Sequence, residues 1–375
     1  EKNCSMKIID HINSKNIKSV LLVYDTNAIH VCNLYKPLKE RLTELDIEVH
    51  ELSDIRPNPS LSRAKVGISI CQQYDVEAIL AVGGGSVFDS AKIISFGPFV
   101  DDIKMVLKNQ RLQIQKALPI FNIVTCSGTS AEVNGNGKIE DDDNCVSYSF
   151  ISHLLHPQVT VIDPLLQQSI QYGQQIANFI DCQMHCIEQM ISGGPEKLMG
   201  FEICASIAKQ LIRCRDILNA DNTDFEARSA FCWASVLATG GVCNFDMNGG
   251  DFVTHCIDLA IRRTDHSLIH GNVLGVVFPL FVKACKIYDY KVKELTCIGQ
   301  KVFNASDLDE FQALYVKMLQ RWRAFTQLGE VLGKKVSVEQ KALYKKNYDE
   351  LPCYFPWMDV EKVKSVAHYV IDNLE

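Results

Sequence analysis

The feature that most constrains the fold is a change in hydrophobic period after residue 163. Before it, short apolar runs alternate with helical segments, and the sequence predicts strands at 19–24, 47–52, 76–82, 119–125 and 159–163. From about Tyr172 onwards the period is helical, with few strand-like runs. Alternating strands and helices predict a parallel, doubly wound sheet. We therefore expect an α/β domain over residues 1–164 and an all-helical domain over residues 165–375.

Composition excludes several classes of protein. A chain of 375 residues exceeds one ordinary core, which agrees with two domains. The net charge is −7 and no basic stripe is present, so we expect no nucleic-acid partner. The sequence contains no uninterrupted run of about 18 apolar residues, so we expect no membrane span. The start lacks a signal-peptide pattern, and the 15 cysteines include no CxxC pair, so we expect reduced thiols in a cytoplasmic protein.

A glycine-rich turn follows the third predicted strand and opens a helix. Glycine lets the backbone approach a ligand closely, and the free N–H groups at a helix start can bind an anion. Gly84 and Gly85 lie in this turn, Ser86 is the expected N-cap, and Asp89 lies in the first helical turn. A pyrophosphate would fit there, although the segment is not the GxGxxG fingerprint. A simple tight turn is the alternative.

Two further polar positions follow predicted strands. Thr125 and Thr129 lie at the carboxyl end of one strand, where hydroxyls suit phosphate or ribose contacts; helix capping is the alternative. Asp25 follows the first strand directly. An acidic residue there can accept hydrogen bonds from a ribose diol and repel a 2′-phosphate, which favours NAD over NADP; an ordinary turn aspartate is the alternative.

A carboxylate and three histidines form a candidate metal site. Asp181 and His185 are four residues apart in a predicted helix, so they share one face. His255 and His270 follow downstream. One carboxylate and three imidazoles suit Fe²⁺ or Zn²⁺ better than Mg²⁺ or Ca²⁺. Four structural residues without a metal are the alternative.

Taken together, these segments resemble the iron-containing (group III) alcohol dehydrogenases, most closely the bacterial butanol-dehydrogenase-like branch. The similarity lies in the order and spacing of blocks at 56–59, 83–92, 125–135, 156–164, 181–188, 249–255 and 270–279. It implies a nucleotide-binding domain followed by a helical metal-binding domain, as in dehydroquinate synthase-like proteins. It also implies NAD(P)-linked interconversion of a small primary alcohol or diol and its carbonyl, by an enzyme that pairs into a homodimer.

The resemblance assigns roles residue by residue. It matches the metal ligands to Asp181, His185, His255 and His270. It matches the pyrophosphate turn to Gly84, Gly85, Ser86 and Asp89. It matches other nucleotide contacts to Thr125, Thr129, Asn58 on the adenosine side and Asp25, the last of which favours NAD, with NADP less favoured.

Three departures from the family pattern affect the predicted site. Leu259 stands where many members have a second histidine, four residues after the ligand, and His266 is a candidate substitute as proton relay. The interval between the last two ligand histidines is one residue longer than in the resembled branch. Ser147 stands where a lysine is usual on the cofactor side.

The ligand assignment has two alternatives. In one, Asp251 is the ligand and His255 the relay; in the other, His266 replaces His270. Two alternative functions also stay open. One is a non-catalytic or weakly active NAD- and metal-binding protein of the same fold, and the other is a glycerol dehydrogenase-like enzyme.

Overall fold

The structure, a computed structural model, describes residues 2–109, 114–143, 146–265, 267–351 and 355–375. By its internal contacts the chain divides into two compact units, Glu1–Ile170 and Gln171–Glu375. The predicted boundary after residue 164 lies shortly before this division. The roles assigned to the two segments remain predictions.

Five parallel strands form the sheet of the first unit, in the order β2-β1-β3-β4-β7. A separate antiparallel pair contains β5 and β6. The strands are β1 (Ser19–Tyr24), β2 (Glu48–Leu52), β3 (Ala78–Gly83), β4 (Ile120–Val124), β5 (Asn136–Asp141), β6 (Val146–Ile151) and β7 (Val159–Ile162). The helices of this unit are α1 (Lys7–Ser14), α2 (Thr26–Val31), α3 (Tyr35–Glu44), α4 (Leu61–Gln73), α5 (Gly85–Phe96) and α6 (Ile103–Lys108). The predicted α/β class and its five parallel strands are confirmed.

Both faces of this sheet are covered, which explains why β1 and β3 are almost wholly apolar and fully buried. Successive side chains of a strand point to opposite faces. Leu21 and Val23 of β1 therefore join the apolar cluster that includes residues of α4 and α5. Val20 and Leu22 join the cluster that includes residues of α1 and α3. Strand β1 thus contributes to two cores.

The β5–β6 hairpin is not among the strands that the sequence predicts. Glu140 and Asp141 are charged residues of β5. Asp141 is buried, and its carboxylate lies 2.9 Å from the Nζ atom of Lys104. Its strands expose most of their side chains at least partly, and β5 contains a single apolar residue, Ile139, which gives little periodic signal.

The second unit is helical throughout its described part, as predicted. Its helices are α7 (Tyr172–Gly193), α8 (Leu198–Ala220), α9 (Phe225–Thr239), α10 (Val253–Arg262), α11 (His270–Tyr288), α12 (Val292–Ile298), α13 (Leu308–Arg321), α14 (Leu328–Leu332), α15 (Val338–Asp349) and α16 (Val360–Asp372). Helix α7 is buried on all sides from Gln175 to Ser192. A helix buried all round lies at the centre of its unit, so polar residues on α7 are held inside the core.

Helix α11 also belongs to this core. Among the described residues it is the one helix long and apolar enough to cross a bilayer, and 72% of its apolar window is buried within the protein. Burial of this kind is typical of a core helix.

Cysteines occur in both units. Twelve of the 15 carry free thiols, whereas Cys256 is disulfide-bonded. The expectation of reduced thiols is therefore wrong at Cys256.

Candidate metal centre and cofactor turn

Three segments of the helical unit bring the four predicted ligands together. Asp181 and His185 lie one turn apart on α7, His255 lies in the first turn of α10, and His270 is the first residue of α11. The ligand atoms of Asp181, His255 and His270 all lie within 4.8 Å of one another. The Nε2 atom of His185 is 3.4 Å from the Oδ1 atom of Asp181.

The spacing of these atoms fits a metal ion. The Nε2 atoms of His185, His255 and His270 lie 3.4, 3.5 and 3.3 Å from the same Asp181 Oδ1 atom. Ligands at about 2.0–2.1 Å from a tetrahedral ion are about 3.3–3.4 Å apart. Asp181 Oδ1 is buried and has no well-formed hydrogen bond within the described part of the chain. A buried carboxylate oxygen surrounded in this way is what a cation requires.

Left-handed backbone turns direct His255 towards α7. Gly249 and Gly250 have φ values of 92° and 93°, which glycine adopts without strain, and Phe252 has φ 53° just before α10 begins. The Asp251 amide donates to the Glu188 carbonyl of α7 at 3.0 Å. A bulky residue at positive φ is strained, and such strain persists only where the surrounding structure enforces it. The start of α10 is therefore fixed against α7.

Two buried carboxylates hold the outer nitrogens of two ligands. Glu188 Oε2 lies 2.5 Å from His255 Nδ1, and Glu188 also accepts a hydrogen bond from Thr254 Oγ1. Asp258 Oδ2 lies 2.6 Å from His270 Nδ1. A carboxylate at Nδ1 fixes the tautomer that leaves Nε2 free to bind a metal. His185 Nδ1 is buried and has no such partner among the described residues.

The electrostatics of the cluster favour added positive charge. Burial opposes the ionised form of Asp181, but His185 and His270 hold its pKa well below the usual value. Burial likewise opposes a charged His255, yet Glu188 and Asp181 raise the pKa of His255 to about 10. Burial lowers the pKa of His185. The carboxylates therefore attract a cation to the space that the imidazoles share.

The glycine turn lies in the first unit. Helix α5 begins at Gly85 with Gly84 as its N-cap and no side-chain cap, so the predicted N-cap at Ser86 is wrong. A Cβ atom on Gly85 would lie 2.6 Å from Thr129 Oγ1, so the turn packs closely on the polar segment after β4. Burial raises the pKa of Asp89, whose Oδ2 atom accepts from the Lys138 amide at 3.1 Å. That carboxylate thus contacts β5.

The other predicted cofactor residues differ in how they are engaged. Thr125 is buried, and its Oγ1 atom finds no hydrogen-bond partner in the described ranges. Thr129 Oγ1 accepts from the Ala131 amide at 3.2 Å. Asp25 is the N-cap of α2, and its Oδ1 atom accepts from the Ala28 amide at 2.7 Å. Asn58 adopts a left-handed conformation, with φ 57°.

Comparison with known proteins places the chain in a family. Residues 1–164 match the family model of iron-containing alcohol dehydrogenases. A probable NADH-dependent butanol dehydrogenase of Bacillus subtilis is 28% identical over 266 residues, 71% of this chain and 68% of that protein. NADH-dependent butanol dehydrogenase A of Clostridium acetobutylicum is 30% identical over 261 residues, 69% of this chain and 66% of that protein. The crystal structure of NADH-dependent butanol dehydrogenase A from Thermotoga maritima superposes with a TM-score of 0.87 at 26% identity, covering 98% of this chain and 95% of that one.

The chain belongs to the iron-containing alcohol dehydrogenase family. The family is named for its iron, and the relative from Clostridium acetobutylicum is named for its dependence on NADH. The family assignment made from the sequence is confirmed.

The geometry also bears on the alternatives for the ligands. Asp251 lies apart from the cluster of three mutually close ligands, and its Oδ2 atom accepts from the Tyr290 hydroxyl at 2.7 Å. The arrangement therefore favours Asp181 over Asp251 as the carboxylate ligand. His266, the candidate relay and alternative ligand, lies outside the described residues. Leu259 lies one turn after His255 on α10 and packs partly against the core.

Three buried residues around the candidate metal site were not predicted from the sequence. Glu188, Asp258 and Arg262 are all buried, and none was assigned a role. A signal was present, because Glu188 and Asp258 each lie on a predicted helix within one turn of a ligand histidine. Their partners were not predictable, because each carboxylate holds a histidine that belongs to a different segment.

Proposed function

We propose that the protein is a metal-dependent, NAD(P)-linked alcohol dehydrogenase or aldehyde reductase that interconverts a small primary alcohol or diol and its carbonyl. One observation carries the proposal: three imidazole nitrogens lie 3.3–3.5 Å from one buried carboxylate oxygen of Asp181. The family membership supports the same chemistry. The relatives' names, butanol dehydrogenases that depend on NADH, support a small alcohol as the substrate class.

The proposed metal is Fe²⁺ or Zn²⁺, held by Asp181, His185, His255 and His270. The choice of ion follows from the mixture of one oxygen and three nitrogen donors. When bound, such an ion supplies a Lewis acid that polarises the substrate oxygen during hydride transfer. The chain's own part is to keep the protons of His255 and His270 on Nδ1, towards Glu188 and Asp258, so that both Nε2 lone pairs face the ion.

The proposed cofactor is NAD, which would supply or accept the hydride. Gly84 and Gly85 leave the first N–H groups of α5 without a side-chain cap, which suits a pyrophosphate. The buried Thr125 hydroxyl has no hydrogen-bond partner in the parts of the chain that are described, and a nucleotide oxygen would satisfy it. Asp25 supports NAD over NADP, since its second carboxylate oxygen could accept from a ribose diol.

Two further properties complete the proposal. We propose a homodimer, because the resembled family pairs in this way, and a cytoplasmic location, because twelve cysteines remain free thiols.

Metal analysis and aldehyde reduction test the proposal together. Protein purified without chelator should hold about one Fe or Zn per chain and should oxidise NADH with short aldehydes such as butanal. His270→Ala should abolish both properties, because it removes one ligand. His368→Ala is the matched control, since His368 pairs with Asp349 outside the cluster. Metal-free wild-type protein that still reduces aldehydes would refute the metal site.

A second candidate function is an NAD- and metal-binding protein with little turnover. The observation in its favour is Leu259, which offers no proton where many family members have an imidazole. Under this alternative, wild-type protein binds metal and NADH without oxidising NADH, and Leu259→His raises the rate substantially. Good wild-type turnover that Leu259→His leaves unchanged would exclude it and would indicate that the family relay is dispensable in this chain.

A further inference from the structure

His270 is the least protected of the four proposed ligands. Its side chain is 29% exposed, compared with 7% for Asp181, 11% for His185 and 17% for His255. It is also the first residue of α11, where the chain enters the helix from a polar loop. A ligand at the end of a loop needs an anchor if it is to keep the spacing that a metal demands.

Asp258 provides one half of such an anchor. Its Oδ2 atom lies 2.6 Å from His270 Nδ1. Two lone pairs at that distance would repel, so a proton must lie between them. Arg262 Nε also lies 2.9 Å from this oxygen as a donor, so the carboxylate is the acceptor, the proton belongs to the ring nitrogen, and the lone pair is left on Nε2, which is 3.3 Å from Asp181 Oδ1.

Arg262 provides the other half. Its Nε atom donates to Asp258 and lies 2.9 Å from each carboxylate oxygen. Asp258 and Arg262 are one turn apart on α10, and both are buried. The guanidinium therefore fixes the carboxylate from one side while the imidazole contacts it from the other. Among the described residues, no cationic side chain contacts Glu188, which holds His255, in the way that Arg262 contacts Asp258.

We propose that Asp258 and Arg262 act as a positioning pair that holds His270 in its metal-binding tautomer and place. The inference rests on the proposed function, because it assumes that His270 binds a metal. It goes beyond that function by assigning a role to two residues that touch neither the ion nor the substrate. The pair ties the start of α11 to α10, so that two of the four ligands move as one unit.

The formal charges allow positioning to be separated from electrostatics. Asp181, Glu188 and Asp258 contribute three negative charges and Arg262 one positive charge, which leaves two negative charges to match a divalent ion. The double substitution Asp258→Asn/Arg262→Gln removes one charge of each sign. The net charge around the ion is therefore unchanged, and no buried charge is left without a partner.

The experiment measures the affinity of the chelator-stripped protein for Zn²⁺ by competition with a chromophoric chelator, together with the melting temperature of the metal-free protein. The double variant should bind Zn²⁺ about 10–100-fold more weakly, the range typical of a lost outer-shell partner. Arg262→Lys, which keeps the charge but lacks the planar guanidinium that reaches both carboxylate oxygens, should show a smaller loss. Asp349→Asn and Arg263→Gln are matched controls, because Asp349 holds His368 and Arg263 donates to the Asn347 carbonyl.

The outcomes separate the two proposals. Wild-type affinity in the double variant would overturn the positioning role, even though the enzyme is metal-dependent. Wild-type protein that binds no metal would instead overturn the proposed function. If the double variant does not fold, Arg262→Lys decides: unchanged Zn²⁺ affinity overturns the proposal, and weaker affinity with an unchanged melting temperature of the metal-free protein supports it.

Discussion

Replacing Gly271 by alanine should separate two helices that carry metal ligands. Gly271 follows His270 at the start of α11, where that helix crosses α7. A Cβ atom there would lie 1.9 Å from the Ala177 carbonyl oxygen and 2.5 Å from its carbon. Ordinary contact begins near 3.4 Å, so the two backbones would have to separate by about 1.5 Å. No side chain can rotate away, because the obstacle is main chain.

The size of this shift sets the expected effect on the metal site. Ala177 is one turn before Asp181 on α7, so the separation falls directly on the 3.3 Å spacing between Asp181 and His270. Metal–ligand distances must hold within about 0.2 Å. For comparison, misplacement of a catalytic group by about 1 Å can lower a reaction rate about 100-fold. We therefore expect Gly271→Ala to weaken Zn²⁺ binding at least 100-fold. Overpacking of this kind should also lower the free energy of unfolding by about 1–3 kcal/mol.

Gly275→Ala is the matched control, one turn later on the same helix. A Cβ atom there would meet the Ile180 Cδ1 atom at 3.1 Å and the Leu319 Cδ2 atom at 3.6 Å, and both are ends of flexible side chains. Alanine in a helix interior gains about 0.5–1 kcal/mol over glycine, so this variant should be as stable as wild type or more stable. Urea unfolding of metal-free protein and Zn²⁺ titration measure both effects. Equal stability and equal Zn²⁺ affinity of Gly271→Ala and Gly275→Ala would refute a backbone clash between α11 and α7.

Three other substitutions test separate parts of the site. Thr125→Val should weaken NADH binding about 3–10-fold in a fluorescence titration without lowering the melting temperature, because the hydroxyl has no hydrogen-bond partner among the described residues to lose. Glu188→Gln should weaken Zn²⁺ binding about 10–100-fold, because an amide cannot both hold His255 Nδ1 and replace the carboxylate charge. Burial raises the pKa of Glu132 from 4.5 to about 7. The folded state therefore favours the protonated form of Glu132. The resulting stabilisation of the folded protein is complete below pH 4.5 and is lost as the pH rises through 7. Glu132→Gln should remove up to about 3 kcal/mol of that loss, measured by urea unfolding at pH 5 and pH 8; equal pH dependence in the two proteins would contradict this.

The sheet was predictable because its physics is local. A strand buried on both faces needs an unbroken apolar run, and Ser19–Tyr24 shows that run without any knowledge of its neighbours. The β5–β6 hairpin was not predictable by the same rule, because its strands are only partly buried and carry charges such as Lys138 and Glu140. Its position depends on contacts with other elements, for example the bond from the Lys138 amide to Asp89 on α5. Periodicity alone does not encode such contacts.

The start of α5 illustrates a smaller error. Serine is a preferred N-cap, so Ser86 was assigned that role, but the helix begins one residue before it. The glycine at 85 is required by its close approach to Thr129, which belongs to a segment about 40 residues away. Capping preference is a local property, whereas the place where this helix begins is set by packing between two turns.

The candidate metal site likewise has a part that local sequence spacing predicts and a part that depends on contacts between helices. The pairing of Asp181 with His185 follows from helical spacing alone, and it was predicted from the sequence. The supporting carboxylates follow a different order, since Glu188 on α7 holds His255 on α10, and Asp258 on α10 holds His270 on α11. The first two ligand-bearing helices, α7 and α10, thus each fix the histidine of the next one along the chain.

This order has a consequence for the assembly of the site. His185 lies on the first of the three segments, and its Nδ1 atom has no partner among the described residues. It needs none from an earlier segment, because the fully buried helix α7 already fixes its backbone and its neighbours. His255 and His270 lie at helix starts preceded by turns, their side chains are more exposed than that of His185, and these are the two histidines that lie beside carboxylates. Support at Nδ1 therefore appears at the two more exposed histidines. Loss of Glu188 or Asp258 should accordingly reduce metal affinity more than any change at His185 Nδ1 that leaves Nε2 intact.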